Sequence, residues 1–324
     1  MFATPPRTVV SFDVGPVSIP APQRPQRPQQ QPPRPQPRRQ RPLTATAALR
    51  LGSGLWHEPD TVPRFSYARS FALAINAAML GLYVACVAQG GLAGTDENPT
   101  LGAPSCELLA LGAMYAPLIV RGLQVWRLLS ALFVPSGLFT LCVYVATSTL
   151  IMFPLELALG SPLVALVFLV CGVMSNMFSC SASTDITTGA GGALMGVVGF
   201  RFACIVLLWP EMSTEERRRA GVAEVAAGVL IFFTGLAPQV DNTAHFAGLI
   251  TGAFMGAALL APRLDATPSA RVVVRLVATG AMVFIFAVWT SLMAAGDLSL
   301  IDSVVLSSVV CQATPQGPYA ALGV

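Results

Sequence analysis

Long apolar runs separated by short polar breaks dominate the chain from residue 71 onward, on a scale that matches helices rather than strands. A helix that crosses a bilayer needs about 20 mostly apolar residues. Seven windows meet that need, at roughly 71–91, 128–152, 162–179, 189–208, 222–238, 243–261 and 273–295. The fifth and sixth are parted only by a turn around Pro238 to Asn242, and one helix over both would overrun a bilayer. The pattern predicts an all-α membrane protein. A disordered tail covers 1–70, a six-helix transmembrane core 71–261, and a seventh helix with a short C-terminus 262–324.

Composition agrees with the pattern. Of the 324 residues, 54% are hydrophobic and only 11% charged, and the mean hydropathy is +0.66. A soluble domain carries about 25% charge. Apolar surface on this scale lacks the polar cover a soluble fold needs, whereas a bilayer accepts it. The net charge of +3 comes from 19 basic and 16 acidic residues, and every basic residue is Arg. The absence of Lys beside abundant Ala, Gly, Pro and Arg reads as GC-rich codon bias.

Charge placement orients the spans. The first 70 residues hold ten Arg, and with this tail in the cytosol Arg217, Arg218, Arg219, Arg263, Arg271 and Arg275 fall on the same side. Arg201 lies toward that end of the fourth helix, and only Arg121 and Arg127 fall outside. The C-terminus is then lumenal or extracellular. Stretch 20–42 is almost wholly Pro, Gln and Arg, which favours extended polyproline II and forms no core. It reads as a solvated tail, or as a docking segment for proline-binding modules or anionic lipid head groups, its partner unknown. The first long apolar run begins near residue 71, so no secretory signal peptide is expected. Pro density argues against a mitochondrial transit helix, and a secretory-pathway membrane is favoured over the mitochondrial inner membrane. Asn98 precedes Pro99 and offers no usable glycosylation site.

The seven Cys form no framework. Cys86, Cys142, Cys171 and Cys204 lie in apolar runs as small hydrophobes. Cys106, Cys180 and Cys311 lie at or beyond helix ends, where two of them could pair in an oxidising lumen. No zinc spacing is present, and nothing points to another metal, a cofactor or a nucleic acid.

Several short patterns go beyond membrane composition. Trp126–Arg127 opens the second window, where such a pair is commonly an interfacial anchor. Glu156, Gly160 and Ser161 fall in the connection to the third, where ordinary loop chemistry explains them. Gly189, Ala190, Gly191, Gly192 and Gly196 open the fourth, and glycines let helix backbones approach closely. In the sixth, His245 is followed by Gly248 and Gly252, spacings that set all three near one face. An ionisable residue inside a span is a functional candidate by default, against the alternative of a satisfied helix-contact His.

In this order, these residues resemble the rhomboid family of intramembrane serine proteases, over 71–261 with a seventh helix after it. Trp126–Arg127 is similar to the family's Trp–Arg, and Glu156 with Gly160 and Ser161 to its Glu-x-x-x-Gly/Ser. Gly189-Ala190-x-Gly192 aligns with Gly-x-Ser-Gly, and His245-x-x-Gly248-x-x-x-Gly252 with the catalytic-His helix. The resemblance implies a six-plus-one bundle. In active members a serine attacks the peptide carbonyl, the His takes its proton, and a His and an Asn on the second helix hold the oxyanion. A substrate helix enters from the side, past the outer loop and the fifth helix.

The sequence departs from that chemistry. The serine position is Gly191, and the oxyanion His and Asn fall on Thr140 and Tyr144, of which Thr140 keeps one hydrogen bond to give. His245 alone remains. Thr188 is the nearest substitute hydroxyl, about 4.5 Å of helical rise from Gly191, too far to reuse a geometry that tolerates about half an ångström. The resemblance therefore implies a pseudoprotease, like the inactive rhomboids and derlins, that binds transmembrane clients within the bilayer and affects their trafficking or stability. The outer loop, about 92–125, is far shorter than that of the inactive rhomboids. The alternative is an active endopeptidase with another nucleophile. A transporter would need more intramembrane charge than Glu224, Arg201 and His245 supply.

Overall fold

In a computed structural model of the chain, residues 70–295 are described apart from Thr184 and 262–266. The expected tail up to residue 69, Arg263, Cys311 and the expected C-terminus from 296 lie outside the described residues. The described chain is helical, its one β pairing being an isolated antiparallel bridge between Met114 and Thr187.

Helix α1 spans Phe71–Gly90 and is apolar on nearly every side. Three short helices follow in the loop: α2 (Ser105–Ala110), α3 (Ala116–Val120) and α4 (Arg127–Ser130). The next long element is α5 (Leu138–Thr147), continued through a π-helical turn (Ser148–Met152) into α6 (Phe153–Leu159). Then come α7 (Ser161–Ala182), α8 (Gly191–Leu208), α9 (Thr214–Thr234), α10 (Asn242–Leu260) and α11 (Pro268–Ala295).

Two expectations fail for local reasons. The window 128–152 is not one helix, and Trp126–Arg127 does not open a span. Pro135 has no amide to donate and biases the residue before it away from helix, so the chain turns over 131–137. Asn98 holds that turn by donating to the carbonyls of Ser136 (2.8 Å) and Ala103 (3.1 Å). The fifth window starts eight residues earlier than expected. Ser213 and Glu216 form a reciprocal cap, the Ser213 amide donating to Glu216 at 2.8 Å and the Glu216 amide to Ser213 at 3.3 Å.

Among the described residues, five helices are long and apolar enough to cross a membrane: α1, α5 with its continuation, α7, α10 and α11. Helix α8 is apolar but shorter by that measure, at Gly191–Leu207. Helix α9 falls out because its 21 residues include Glu215, Glu216, three consecutive Arg and Glu224. The whole is an all-α membrane protein.

Helix α8 is the centre of the bundle, buried along its N-terminal two thirds between α7 and α10. Glycine makes that possible. A methyl group at Gly248 would overlap the Gly192 carbonyl, and one at Gly252 the Gly196 carbonyl. On the other face, methyls at Gly192 and Gly196 would overlap Ser175 and Cys171 of α7. Backbones touch here, which in lipid supplies the packing that apolar side chains alone do not.

Candidate functional site

The site forms where the N-terminal ends of α8 and α10 meet the side of α5. Gly189 turns the chain into α8 with φ +110°, a left-handed value that side chains avoid. Tyr144 of α5 fills the space beside it, its hydroxyl 2.7 Å from where a Cβ on Gly189 would sit. Helix α10 starts at an Asp241 cap, whose carboxylate accepts from the Thr243 amide at 2.7 Å. Asn242 follows, one turn before His245.

His245 is 1% exposed, and its Nδ1 donates to the Asn242 Oδ1 at 2.9 Å. An amide oxygen only accepts, so the ring proton sits on Nδ1 and Nε2 carries the lone pair. Nε2 is aimed at Gly191. A Cβ built on Gly191 would overlap it, and would lie 2.8 Å from His245 Cδ2 and 3.1 Å from the Tyr144 hydroxyl. The Tyr144 hydroxyl lies beside Thr234 and the Gly191 backbone without a well-aligned hydrogen bond to either. One donor and one acceptor thus converge on a residue with no side chain. The adjoining cavity, lined among others by Asn176, Thr187, Thr188, Gly189 and His245, holds about 10 Å³, room for roughly one water.

Thr140 does not reach this point. Its hydroxyl is committed to the start of α5, donating to the Gly137 carbonyl at 2.8 Å, accepting from the Gly137 amide at 3.1 Å and pairing with Ser136 at 2.9 Å. The expected spare hydrogen bond is therefore absent. Thr187 and Thr188 line the cavity. The Thr187 backbone is held by Met114, and the Thr188 amide donates to the Gln239 carbonyl at 2.9 Å, while the Thr188 hydroxyl is buried without a partner.

The remaining motif residues are structural, and two expectations about them change. Arg127 is no surface anchor. It is 1% exposed, and its guanidinium donates to the carbonyls of Leu109 (2.7 Å) and Ala113 (2.9 Å) and to Gln124 (2.7 Å). Trp126, half exposed, stacks on it at 4.6 Å. Glu156 is not loop chemistry either. It lies on α6, fully buried, and caps α1 from 85 residues away, accepting from the Phe71 amide (2.5 Å), the Ala72 amide (3.0 Å) and the Ser70 hydroxyl (2.9 Å). Gly160, at φ +89°, turns α6 into α7, which begins at Ser161. Gly189, Gly192, Gly196, Gly248 and Gly252 serve the turn and the close crossing already described.

Sequence reading passed over Asn242, Asp241 and the pairing of Arg201 with Glu224. Asn242 orients His245, and its place three residues upstream is the signal that was available. Asp241 joins Ser179 and Thr243 beside the site, and an Asx at a helix start is a recognisable cap. Arg201 of α8 and Glu224 of α9 form a buried ion pair, and nothing in the sequence links them. Among the expected disulfide candidates, Cys106 is disulfide-bonded and Cys180 carries a free, buried thiol.

Comparison with known proteins bears on the same region. The family description "Rhomboid domain" matches residues 122–262. RHOMBOID-like protein 7 of Arabidopsis thaliana is 33% identical over 168 residues, covering 51% of this chain and 52% of that protein. RHOMBOID-like protein 6, mitochondrial, from the same plant is 31% identical over 165 residues, covering 51% and 53%. Inactive RHOMBOID-like protein 8, also from Arabidopsis thaliana, is 25% identical over 157 residues, covering 48% and 44%. The chain spans about half the length of the curated relatives it matches. The helices that build the Gly191–His245 site lie within the stretch that is similar to a rhomboid domain, and these relatives support the rhomboid family for the chain.

Proposed function

We propose that this chain is a rhomboid-like membrane scaffold that binds single transmembrane segments without cutting them. The observation that carries the reading is the occupancy of the space around Gly191. At the position the resemblance gives to a serine there is no nucleophile, and His245 and Tyr144 have closed over the gap. A base with no hydroxyl to deprotonate runs no acyl transfer. What persists is the bundle, with α5 and α9 flanking a buried site that faces a transmembrane client from the side. The N-terminal end of α1 and the Arg217–Arg219 cluster lie in the cytosol in this reading, following the Arg bias. A relative with a similar length of match is named Inactive RHOMBOID-like protein 8, which agrees with the loss of activity in this reading.

The test is capture and cleavage in the same cells. A panel of tagged single-span proteins is co-expressed with the chain, cross-linked, purified and blotted for intact and cut forms. Intact clients recovered with the chain support the scaffold. A cut product that disappears on His245→Ala overturns it.

A second reading follows from Thr188, whose buried hydroxyl has no partner and lines the same cavity as His245. If Thr188 is a relocated nucleophile, cleavage is present in the natural chain and absent in both Thr188→Ala and His245→Ala. Cleavage that survives Thr188→Ala removes that reading.

A further inference from the structure

Helix α9 is held to the bundle in an unusual way. Its buried stripe is Glu216, Ala220, Glu224, Ala227, Ile231 and Thr234, with Ile231 the one large apolar side chain among them. Between its buried turns it turns Val222, Val225, Val229 and Phe233 outward. An apolar side chain gains little by leaving lipid for protein, so Ala220, Ala227 and Ile231 hold α9 weakly. The contact of another kind is the ion pair. Glu224 is the eleventh of the 21 residues of α9, and Arg201 the eleventh of the 18 of α8. Both therefore sit near mid-helix, and their side chains are 6% and 2% exposed. Separating them leaves two buried charges unpaired, an outcome far costlier than exposing alanine.

We propose that the Arg201–Glu224 pair is a latch that holds α9 against α8 and so keeps shut the side of the bundle between α9 and α5. That side covers the site, because Tyr144 of α5 meets Thr234 of α9 beside Gly191. The use of the latch rests on the scaffold reading: it sets when a client helix reaches the pocket. Its existence does not, since it is a statement about the position of one helix.

The experiment measures that position in lipid nanodiscs. Spin labels are placed on the exposed natural Cys142 of α5 and on Val225→Cys of α9, and their distance distribution is read by double electron–electron resonance. The natural pair is expected to give one narrow distribution. Arg201→Met with Glu224→Leu removes both charges at similar volume and leaves no orphan charge. It is expected to add a second, longer population. Arg201→Glu with Glu224→Arg is expected to restore the narrow one. A neutral pair that keeps the single narrow distance overturns the latch, because packing then holds α9. So does a swapped pair as broad as the neutral one. Collapse of the whole bundle in the neutral pair also counts against it, since the pair would then serve the fold at large. Client capture on the natural chain separates the two readings. A chain that captures none sinks the scaffold function and leaves the measured distances, and the latch, standing.

Discussion

Restoring the serine alone, by Gly191→Ser, is expected to leave the protein inactive and to destabilise it. The new Cβ overlaps His245 Nε2 and falls 2.8 Å from Cδ2, so the ring has to move by about an ångström or more. Moving it breaks the 2.9 Å bond to Asn242, worth about 1 kcal/mol, and forces a buried ring against its neighbours, worth about 1–3 kcal/mol. The expected loss is therefore about 2–4 kcal/mol, within the range of overpacked cores. The displaced ring also misses the alignment a serine needs, which tolerates about half an ångström. The Tyr144 hydroxyl, 3.1 Å from the same Cβ, occupies room beside the new side chain. Tyr144→Asn together with Gly191→Ser empties that room, and is the smallest change expected to yield any product. The assay is cleavage of a single-span reporter in cells, paired with thermal unfolding of the purified variants in one detergent. Product from Gly191→Ser alone, lost on adding His245→Ala, with unfolding unchanged, would refute the steric argument.

Other expectations follow from the same geometry. Glu156→Ala removes the acceptor for three donors at the start of α1 and is expected to cost about 2–3 kcal/mol, read as a lower unfolding temperature and earlier proteolysis near residue 70; Glu156→Gln recovers part of it. Gly252→Ala drives a methyl into the Gly196 carbonyl and is expected to cost at least about 1–3 kcal/mol, whereas Gly228→Ala, with open space around it, costs nothing measurable. Glu215 is held at about 2 by hydrogen bonds from Arg218 and then Arg219. Its folded value lies below its unfolded one, so its support for the start of α9 is complete above about 4.5 and is lost as pH falls toward 2. Carboxyl NMR is expected to show that midpoint, and Arg218→Ala to raise it.

Much of the bundle was legible because helices in lipid announce themselves by length and apolarity. The windows for α1, α7, α8 and α10 fall within three residues of the observed ends. The failures came where a local signal competes with hydropathy. Pro135 and Gly137 sit in an apolar stretch and break it, and the charged first turns of α9 belong to the helix although hydropathy discards them. In the site, His245 and Gly191 were readable from their motifs. Their closure was not, because it depends on where a tyrosine ring from α5 lies. Arg127 and Glu156 were recognised as motif residues but misjudged in environment. Each satisfies backbone groups far away in the chain, and one-dimensional reading assigns a charge to water by default. The Arg201–Glu224 pair failed for the same reason, with the partners on different helices and no spacing rule to join them.

The carboxylate of Glu156 has a bearing on how the protein is made. Helix α1 is complete once Gly90 has been synthesised, yet the group that satisfies its first amides lies 85 residues beyond Phe71. At about 5–20 residues per second, the stretch from Gly90 to Glu156 takes roughly 3–13 s, and for that time α1 waits in or beside the membrane with its Phe71 and Ala72 amides lacking this acceptor. Its N-terminal end therefore has reason to stay at the water interface until α6 arrives to receive it. A nascent chain stopped before residue 156 carries α1 without the cap for its first amides, and seating of that end of α1 becomes a late step in assembly of the bundle.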